Sequence, residues 1–359
     1  TITATDVSKT YGAAASLTQY TTSGLLNSDL VSDVALSSTG SSATATLGTY
    51  AITASSAIGT GLSNYTITYA NGTLTVNPAA LTIRANNINK FYGLTLNPTV
   101  FTATGLLNSD VVSGVTLSST GSLATAHVGA YNIVSSNATG TGLSNYTITY
   151  SNGTLTVLPI SLTITAANQV KCQGDILTLP PNGYGVNGLV NSDAVTGVML
   201  TSAGTGSGAA AGSYSIVPSA AVGTGLSNYN ISYINGILTV NALPALTASA
   251  SSTSMSRGRN VTLTATGTGN FAWTPATGIV SPNSAITEAR VTGRNTYTVN
   301  VTLTASNGCR NMASVSIDII DDFYVDPAVV FTPNGDGIND RFVIKNLDQY
   351  PQNKLQVFD

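Results

Sequence analysis

One segment of about eighty residues is written three times in this chain, and that period constrains the fold before any single residue does. The phrase Gly61-Leu62-Ser63-Asn64-Tyr65 returns at 142 and at 225, in steps of 81 and 83 residues. Leu26-Asn27-Ser28-Asp29, Leu107-Asn108-Ser109-Asp110 and Val190-Asn191-Ser192-Asp193 keep the same steps. Periods of roughly 20 to 50 residues belong to solenoid units that cannot bury a core alone, whereas about 80 residues can close a small sandwich. Over 359 residues the period predicts four or five such domains, an array that supplies reach or copy number.

Only 8% of residues are charged, against roughly 25% in an ordinary soluble protein. Solubility therefore rests on hydroxyls and amides, while 42% hydrophobic residues suffice for packed cores. The net charge is −3 and the 12 Lys and Arg are scattered singly, so no basic stripe exists for a nucleic acid. No apolar run is long enough for a transmembrane segment, and residue 1 begins no signal-peptide pattern. Because Thr1 is not a start methionine, the sequence reads as an internal piece of a longer protein. Cys172 and Cys309 fall in different repeat contexts, where a disulfide would have to bridge two domains and a metal site lacks its usual spacing. Two unpaired thiols are the expectation.

Each repeat closes on alternating large apolar and small polar residues. Tyr65, Ile67 and Tyr69 alternate before Asn71-Gly72, and Leu74 and Val76 resume afterwards. The pattern predicts a β-hairpin with a type I′ turn, repeated at Asn152-Gly153 and Asn235-Gly236. Further strands are expected at Val34 to Leu36, Tyr50 to Thr53 and Leu81 to Ala85, with almost no helix. Short strands between Gly, Ser and Asn turns predict antiparallel sandwiches. The joints at Asn77-Pro78, Leu158-Pro159 and Leu243-Pro244 predict stiff connections. Strands of about ten residues make beads of roughly 35 Å, so four in an elongated rod would reach on the order of 140 Å. After residue 244 the repeat phrases stop but alternation continues, and Trp273 marks a core strand of a different sandwich.

Candidate chemistry is sparse. His127 and Glu288 are the single members of their types and join no recurring constellation, so no catalytic residue is assigned and the chain is read as a non-enzyme. His127 reads as a tolerated surface or strand residue. Lys9, Lys90 and Lys171 recur with Asp29, Asp110 and Asp193, which admits either a Lys to Asn or Asp isopeptide crosslink or a turn contact in which the Asp bonds local amides. The tyrosines at 50, 65 and 69, with their counterparts, read as core and corner residues, with a glycan-stacking site as the other reading. Asn334, Asp336, Asn339 and Asp340 place four oxygen donors within seven residues, suiting either calcium or a self-bonded Asx and glycine turn; no other cofactor is expected.

Lys9-Thr10-Tyr11-Gly12, Lys90-Phe91-Tyr92-Gly93, the Asn-Ser-Asp phrase, Gly48-Thr49-Tyr50 and the terminal Asn-Tyr-Thr-Ile-Thr-Tyr stretch resemble bacterial MBG domains, which occur in tandem on very large surface proteins. The third repeat departs, reading Lys171-Cys172-Gln173-Gly174. Thr296-Tyr297-Thr298-Val299 and Asn307-Gly308-Cys309 resemble immunoglobulin-like or PKD-like adhesin repeats. Phe331-Thr332-Pro333-Asn334-Gly335-Asp336-Gly337-Ile338-Asn339-Asp340 is similar to the opening of the gliding motility-associated C-terminal domain. That resemblance implies a sorting signal for type IX secretion in Bacteroidota, an extracellular, outer-membrane-associated location and a chain continuing past Asp359. It makes Thr332, Pro333, Asn334, Gly335, Asp336, Gly337, Asn339 and Asp340 the sorting motif.

The expected organisation is thus all-β, with MBG-type sandwiches at 1–78, 79–159 and 160–242, an immunoglobulin or PKD-like sandwich at 243–321 and the start of a sorting domain at 322–359. The expected role is the stalk of a secreted adhesin-like protein whose partner is the type IX machinery. Two other roles fit the same residues. Weakly charged, Thr-rich edges suit strand addition between like chains in a fibre, and repeated weak sites suit multivalent binding of surface glycans.

Overall fold

The computed structural model describes residues 1–290, 296–320, 326–327, 335–336 and 344–345. Among the described residues the regular structure is strand, apart from single turns of 3₁₀ helix. The first repeat contains β1 (Ile2–Ala4), β2 (Val7–Thr10), β3 (Tyr20–Thr22), β4 (Leu30–Ser37), β5 (Gly48–Thr60), β6 (Tyr69–Ala70) and β7 (Gly72–Asn77). They form two sheets, ordered β3-β1-β6 and β2-β7-β5-β4. The second repeat copies the plan with β8 (Ala79–Ala85), β9 (Ile88–Phe91), β10 (Phe101–Thr104), β11 (Val111–Ser118), β12 (Gly129–Thr141), β13 (Tyr146–Ser151) and β14 (Gly153–Leu158). The third repeats it again over 160–241. The strands expected at Val34, Tyr50 and Leu81 lie inside β4, β5 and β8.

Period-two alternation works as expected: β8 reads buried and exposed in strict alternation, with Leu81, Ile83 and Ala85 fully buried. Burying a side chain such as Leu or Ile stabilises by about 1.5–3 kcal/mol each, so a few such positions per strand suffice to fix which face turns inward.

The expected hairpin at Asn71-Gly72 does not form. Residues on its two sides enter different sheets: β6 lies beside β1, whereas β7 lies between β2 and β5. Asn152-Gly153 and Asn235-Gly236 make the same crossing. The crossing places β1 beside β6 and β2 beside β7 in parallel pairs. Gly72, Gly153 and Gly236 do not take the positive φ that a type I′ turn needs. Their glycine character answers a close approach instead: a Cβ at Gly153 would lie 2.4 Å from the Ala85 carbonyl oxygen, and those at Gly72 and Gly236 would lie 2.5 and 2.6 Å from the carbonyls of Ala4 and Ala166. A side-chain clamp fixes the next residue, since Asp6 accepts a bond from the Thr73 amide at 2.7 Å, Asn87 from Thr154 at 2.9 Å and Asn168 from Ile237 at 2.8 Å. Gly153→Ala should therefore cost about 1–3 kcal/mol in denaturant unfolding. Gly208→Ala is the control, because a Cβ there meets no atom.

The chain divides into two compact units. One comprises Thr1–Ile164, Gly185–Val198 and Ala220–Tyr233; the other comprises Thr165–Tyr184, Met199–Ser219 and Ile234–Asp359. Within the first unit the core does not stop at a repeat boundary. Tyr11 and Val76 of the first repeat cluster with Ala79, Leu81, Ile83 and Tyr146 of the second. Tyr92, Ile133 and Leu155 of the second cluster with Leu162 and Tyr229 of the third. Only Pro78 separates β7 from β8, so the chain has no slack there, and shared burial adds stiffness beyond the proline.

Within the second unit, residues 247–320 form a further sandwich of a three-stranded and a four-stranded sheet. Trp273 fills its core among Val261, Leu263, Val299, Val301 and Ile317, and its indole N–H donates to the Ser284 carbonyl at 2.9 Å. The two cysteines, expected as free thiols, form a Cys172–Cys309 disulfide with Cα atoms 5.5 Å apart. The bridge joins two different sandwiches 137 residues apart, so no cysteine pair within one repeat marks it. Of the C-terminal segment, Asp326–Pro327 pairs antiparallel with Ile344–Lys345.

Candidate functional site

The recurring polar residues converge at the repeat junctions. At the first junction the Tyr11 and Tyr146 hydroxyls both donate to one oxygen of Asp110, at 2.9 and 2.8 Å. The Tyr146 hydroxyl also accepts from the Leu107 amide at 2.8 Å, and the two rings meet edge to face at 5.5 Å. At the second junction Tyr92 and Tyr229 donate to Asp193 at 3.0 and 2.7 Å, with ring centres 5.7 Å apart. One carboxylate thus ties a tyrosine of its own repeat to one of the repeat before it. In the first repeat Asp29 accepts from Tyr65 alone, at 2.8 Å.

Local backbone shapes each half of the junction. Asn108 and Ser109 both take left-handed φ, 52° and 66°, which turns the chain so that Asp110 faces the tyrosines. Asn tolerates that region and Ser does so at a cost. Gly142 of Gly142-Leu143-Ser144-Asn145 has φ 73°, and a Cβ there would lie 1.9 Å from an Asp110 carboxylate oxygen. On the other half, a Cβ at Gly12 would lie 2.4 Å from Leu107, and one at Gly93 would lie 2.8 Å from Val190. Amides complete the contact. Asn108 donates to the Ala43 carbonyl at 3.0 Å and Asn145 accepts from the Leu47 amide at 3.2 Å; Asn191 and Asn228 do the same to Ala124 and Val128 at 2.8 Å each.

The lysines serve the same corner from beneath. Lys9 is buried and donates to the carbonyls of Ala13, at 3.0 Å, and Ser42; Lys90 is buried and donates to those of Leu94, at 2.7 Å, and Leu123. Lys171 binds the Asp175 and Gly206 carbonyls. The proposed crosslink is thereby overturned, since each of these three lysines meets main-chain oxygens while the aspartates hold tyrosines. The turn contact stands, with each aspartate amide closing its turn on Leu26, Leu107 or Val190, but the Asp side chains bond tyrosine hydroxyls where local amides were expected. Burial lowers the pKa of Lys9 and Lys90.

Burial first, with the carboxylate second, pushes Tyr146 and Tyr229 up to about 12. Their folded pKa lies above the unfolded value of about 10, so the stability they contribute is complete below pH ~10 and is lost as pH rises through 12. The lysines act with the opposite sign: their depressed folded pKa makes stability rise as pH approaches the ordinary 10.5. Thermal melting should therefore hold or improve towards pH ~10 and fall above it, and Tyr146→Phe should remove part of the fall.

His127 belongs to the second junction, lying 3.0 Å from the Asn228 amide nitrogen and stacked on Tyr92 with ring centres 6.5 Å apart. Tyr50, Tyr131 and Tyr214 each donate to the carbonyl four residues earlier, and Tyr69, Tyr150 and Tyr233 accept amides across the strands, so these hydroxyls serve corners. Among the described residues no cluster of His, Cys, Asp or Glu could hold a metal, and no helix is long and apolar enough to cross a membrane. Of the calcium and sorting residues, Gly335 and Asp336 are exposed; Thr332, Pro333, Asn334, Gly337, Asn339 and Asp340 lie outside the described residues.

Tandem sandwiches joined by such contacts define an array of like β-modules. The MBG domain (YGX type) matches residues 1–75, 81–156 and 162–239, and the chain belongs to that family. The type IX secretion signal domain matches residues 325–359, which directs export to the cell surface or extracellular space. No curated protein matches the chain. Among solved structures, the amphioxus IgVJ-C2 molecule is 21% identical, with 30% of this chain and 60% of that one covered and a TM-score of 0.19. The N-terminal eight immunoglobulin domains of Down Syndrome Cell Adhesion Molecule are 12% identical over 91% of this chain and 49% of that one, TM-score 0.25. Drosophila N-cadherin EC1-4 is 8% identical over 89% and 99%, TM-score 0.21.

Proposed function

We propose that this chain is the structural stalk of an adhesin-like surface protein, exported through its C-terminal domain and without enzymatic activity of its own. The observation that carries the reading is the recurrence of one carboxylate shared by two tyrosines at both MBG junctions. The residues repeated in this chain are spent on holding neighbours together. In this reading residues 243–321 are an immunoglobulin or PKD-like spacer, and the type IX machinery reads the segment from Thr332 to Asp340.

Small-angle scattering tests the stalk. The purified chain should show a maximum dimension on the order of 140 Å, from four beads of roughly 35 Å; a compact globule would sink the idea. In cells, deletion of 325–359 should abolish surface labelling of the chain, whereas Asp110→Ala should leave delivery intact and disturb only the stalk.

A further inference from the structure

The junction has two unlike halves. The donor half is the Tyr-Gly corner of one repeat, and the acceptor half is the Asn-Ser-Asp turn with the Gly-Leu-Ser-Asn-Tyr turn of the next. The second and third repeats have their acceptor halves covered by Tyr11-Gly12 and Tyr92-Gly93. The first repeat carries a complete acceptor half that nothing among the described residues covers. Asp29 accepts from Tyr65 as its counterparts do from Tyr146 and Tyr229, and Asn27 and Ser28 hold the same left-handed φ of 55° and 65°. Yet Leu26 is 66% exposed against 38% for Leu107, and Asn64 is exposed where Asn145 and Asn228 are 5% and 1% exposed. The Asn27 and Asn64 side chains, whose counterparts bond the preceding repeat, have no hydrogen-bond partner among the described residues.

We infer that the face formed by Leu26–Asp29 and Leu62–Tyr65 is a docking site for the Tyr-Gly corner of a further MBG repeat joined ahead of residue 1. Its recognition chemistry is fixed by the two junctions already formed. The occupant must present a tyrosine hydroxyl to Asp29, a glycine beneath Leu26, a carbonyl to Asn27 and a main-chain amide to Asn64. A second copy of this chain cannot supply it. Tyr11 and Tyr92 are engaged, and the third repeat has Gln173 where the tyrosine would stand. The array is therefore polar: its first repeat is built to accept another, and its third carries no matching donor. This inference stands on packing alone and does not depend on the stalk or its export.

The test places residues 1–81 ahead of Thr1 in the full chain, which restores the register in which Leu81 meets Thr82. Amide exchange at 26–30 and 62–65 should slow on the order of tenfold relative to the parent chain, towards the rates at 107–111 and 143–146. Tyr11→Phe in the added copy alone should return most of the lost rate. Unchanged exchange on the face, with the added copy's own strands protected, would overturn the site. So would protection that survives Tyr11→Phe, or protection that appears only as concentration rises and the chain dimerises.

Discussion

Asp110→Ala should be far more damaging than Asp29→Ala, although the two residues occupy the same phrase. Removing the Asp110 carboxylate takes away two charge-assisted bonds at once, stranding the Tyr11 hydroxyl and leaving that of Tyr146 only the Leu107 main chain, both on rings that are less than a tenth exposed. Hydrogen bonds to a charged group contribute about 1.5–3 kcal/mol each, and a buried donor left unpaired costs a similar amount, so a loss of about 3–5 kcal/mol is expected. Asp29 holds Tyr65 alone at a solvent-facing turn, and its removal should cost about 1 kcal/mol. Tyr11→Phe takes away only the bond across the junction and should fall between. A double-mutant cycle of Tyr11→Phe with Asp110→Ala should show coupling, whereas Tyr11→Phe with Asp29→Ala should be additive. Amide exchange along β8 and β13 reads the damage where it arises. Equal losses for Asp29→Ala and Asp110→Ala would show that the carboxylate serves only its own repeat.

The contrast explains what the sequence could and could not convey. Alternation at Leu81, Ile83 and Ala85 writes the strands directly, because each side chain's fate depends on its immediate neighbours in the pleat. The crossing at Asn71-Gly72 was illegible for the opposite reason. A two-residue Asn-Gly step is chemically suited to a hairpin, and only the approach of the Ala4 carbonyl, from a strand some seventy residues earlier, selects the crossover. The junction lay in between. Tyr11 and Tyr92 recur in step with the aspartates, but spacing cannot say that the tyrosine of one repeat serves the carboxylate of the next. One signal was available: the third repeat, which is followed by a different sandwich, is the one that replaces Tyr with Gln173. A residue kept only where a like neighbour follows belongs to the neighbour's contact.

Where the tyrosine corner is missing, a covalent bond stands one residue away, and breaking it should produce the second large effect. Cys172 holds the place of Thr10 and Phe91, directly before Gln173, and Cys309 is fully buried in the following sandwich. Their bridge spans 137 residues of sequence. Chain-entropy arguments put the stabilisation from closing so long a loop near 5 kcal/mol, and measured bridges typically give about 2–4 kcal/mol. Cys172→Ala with Cys309→Ala should therefore lower the melting of residues 165–320 by an amount in that range, while amide exchange in β1 to β14 stays as it was. Reduction of the unaltered chain should reproduce the loss. Intact mass offers a direct check, since the bridged chain is two hydrogens lighter than the reduced one and takes up no alkylating reagent until reduced; double alkylation without reductant would refute the bridge. The bond also ties this joint to export, because such disulfides persist in oxidising surroundings and are rare in a reducing cytoplasm. Chain made in a reducing cytoplasm should then carry free thiols and melt at the lower temperature, so that transfer to an oxidising compartment completes the joint between the third repeat and the sandwich that follows it.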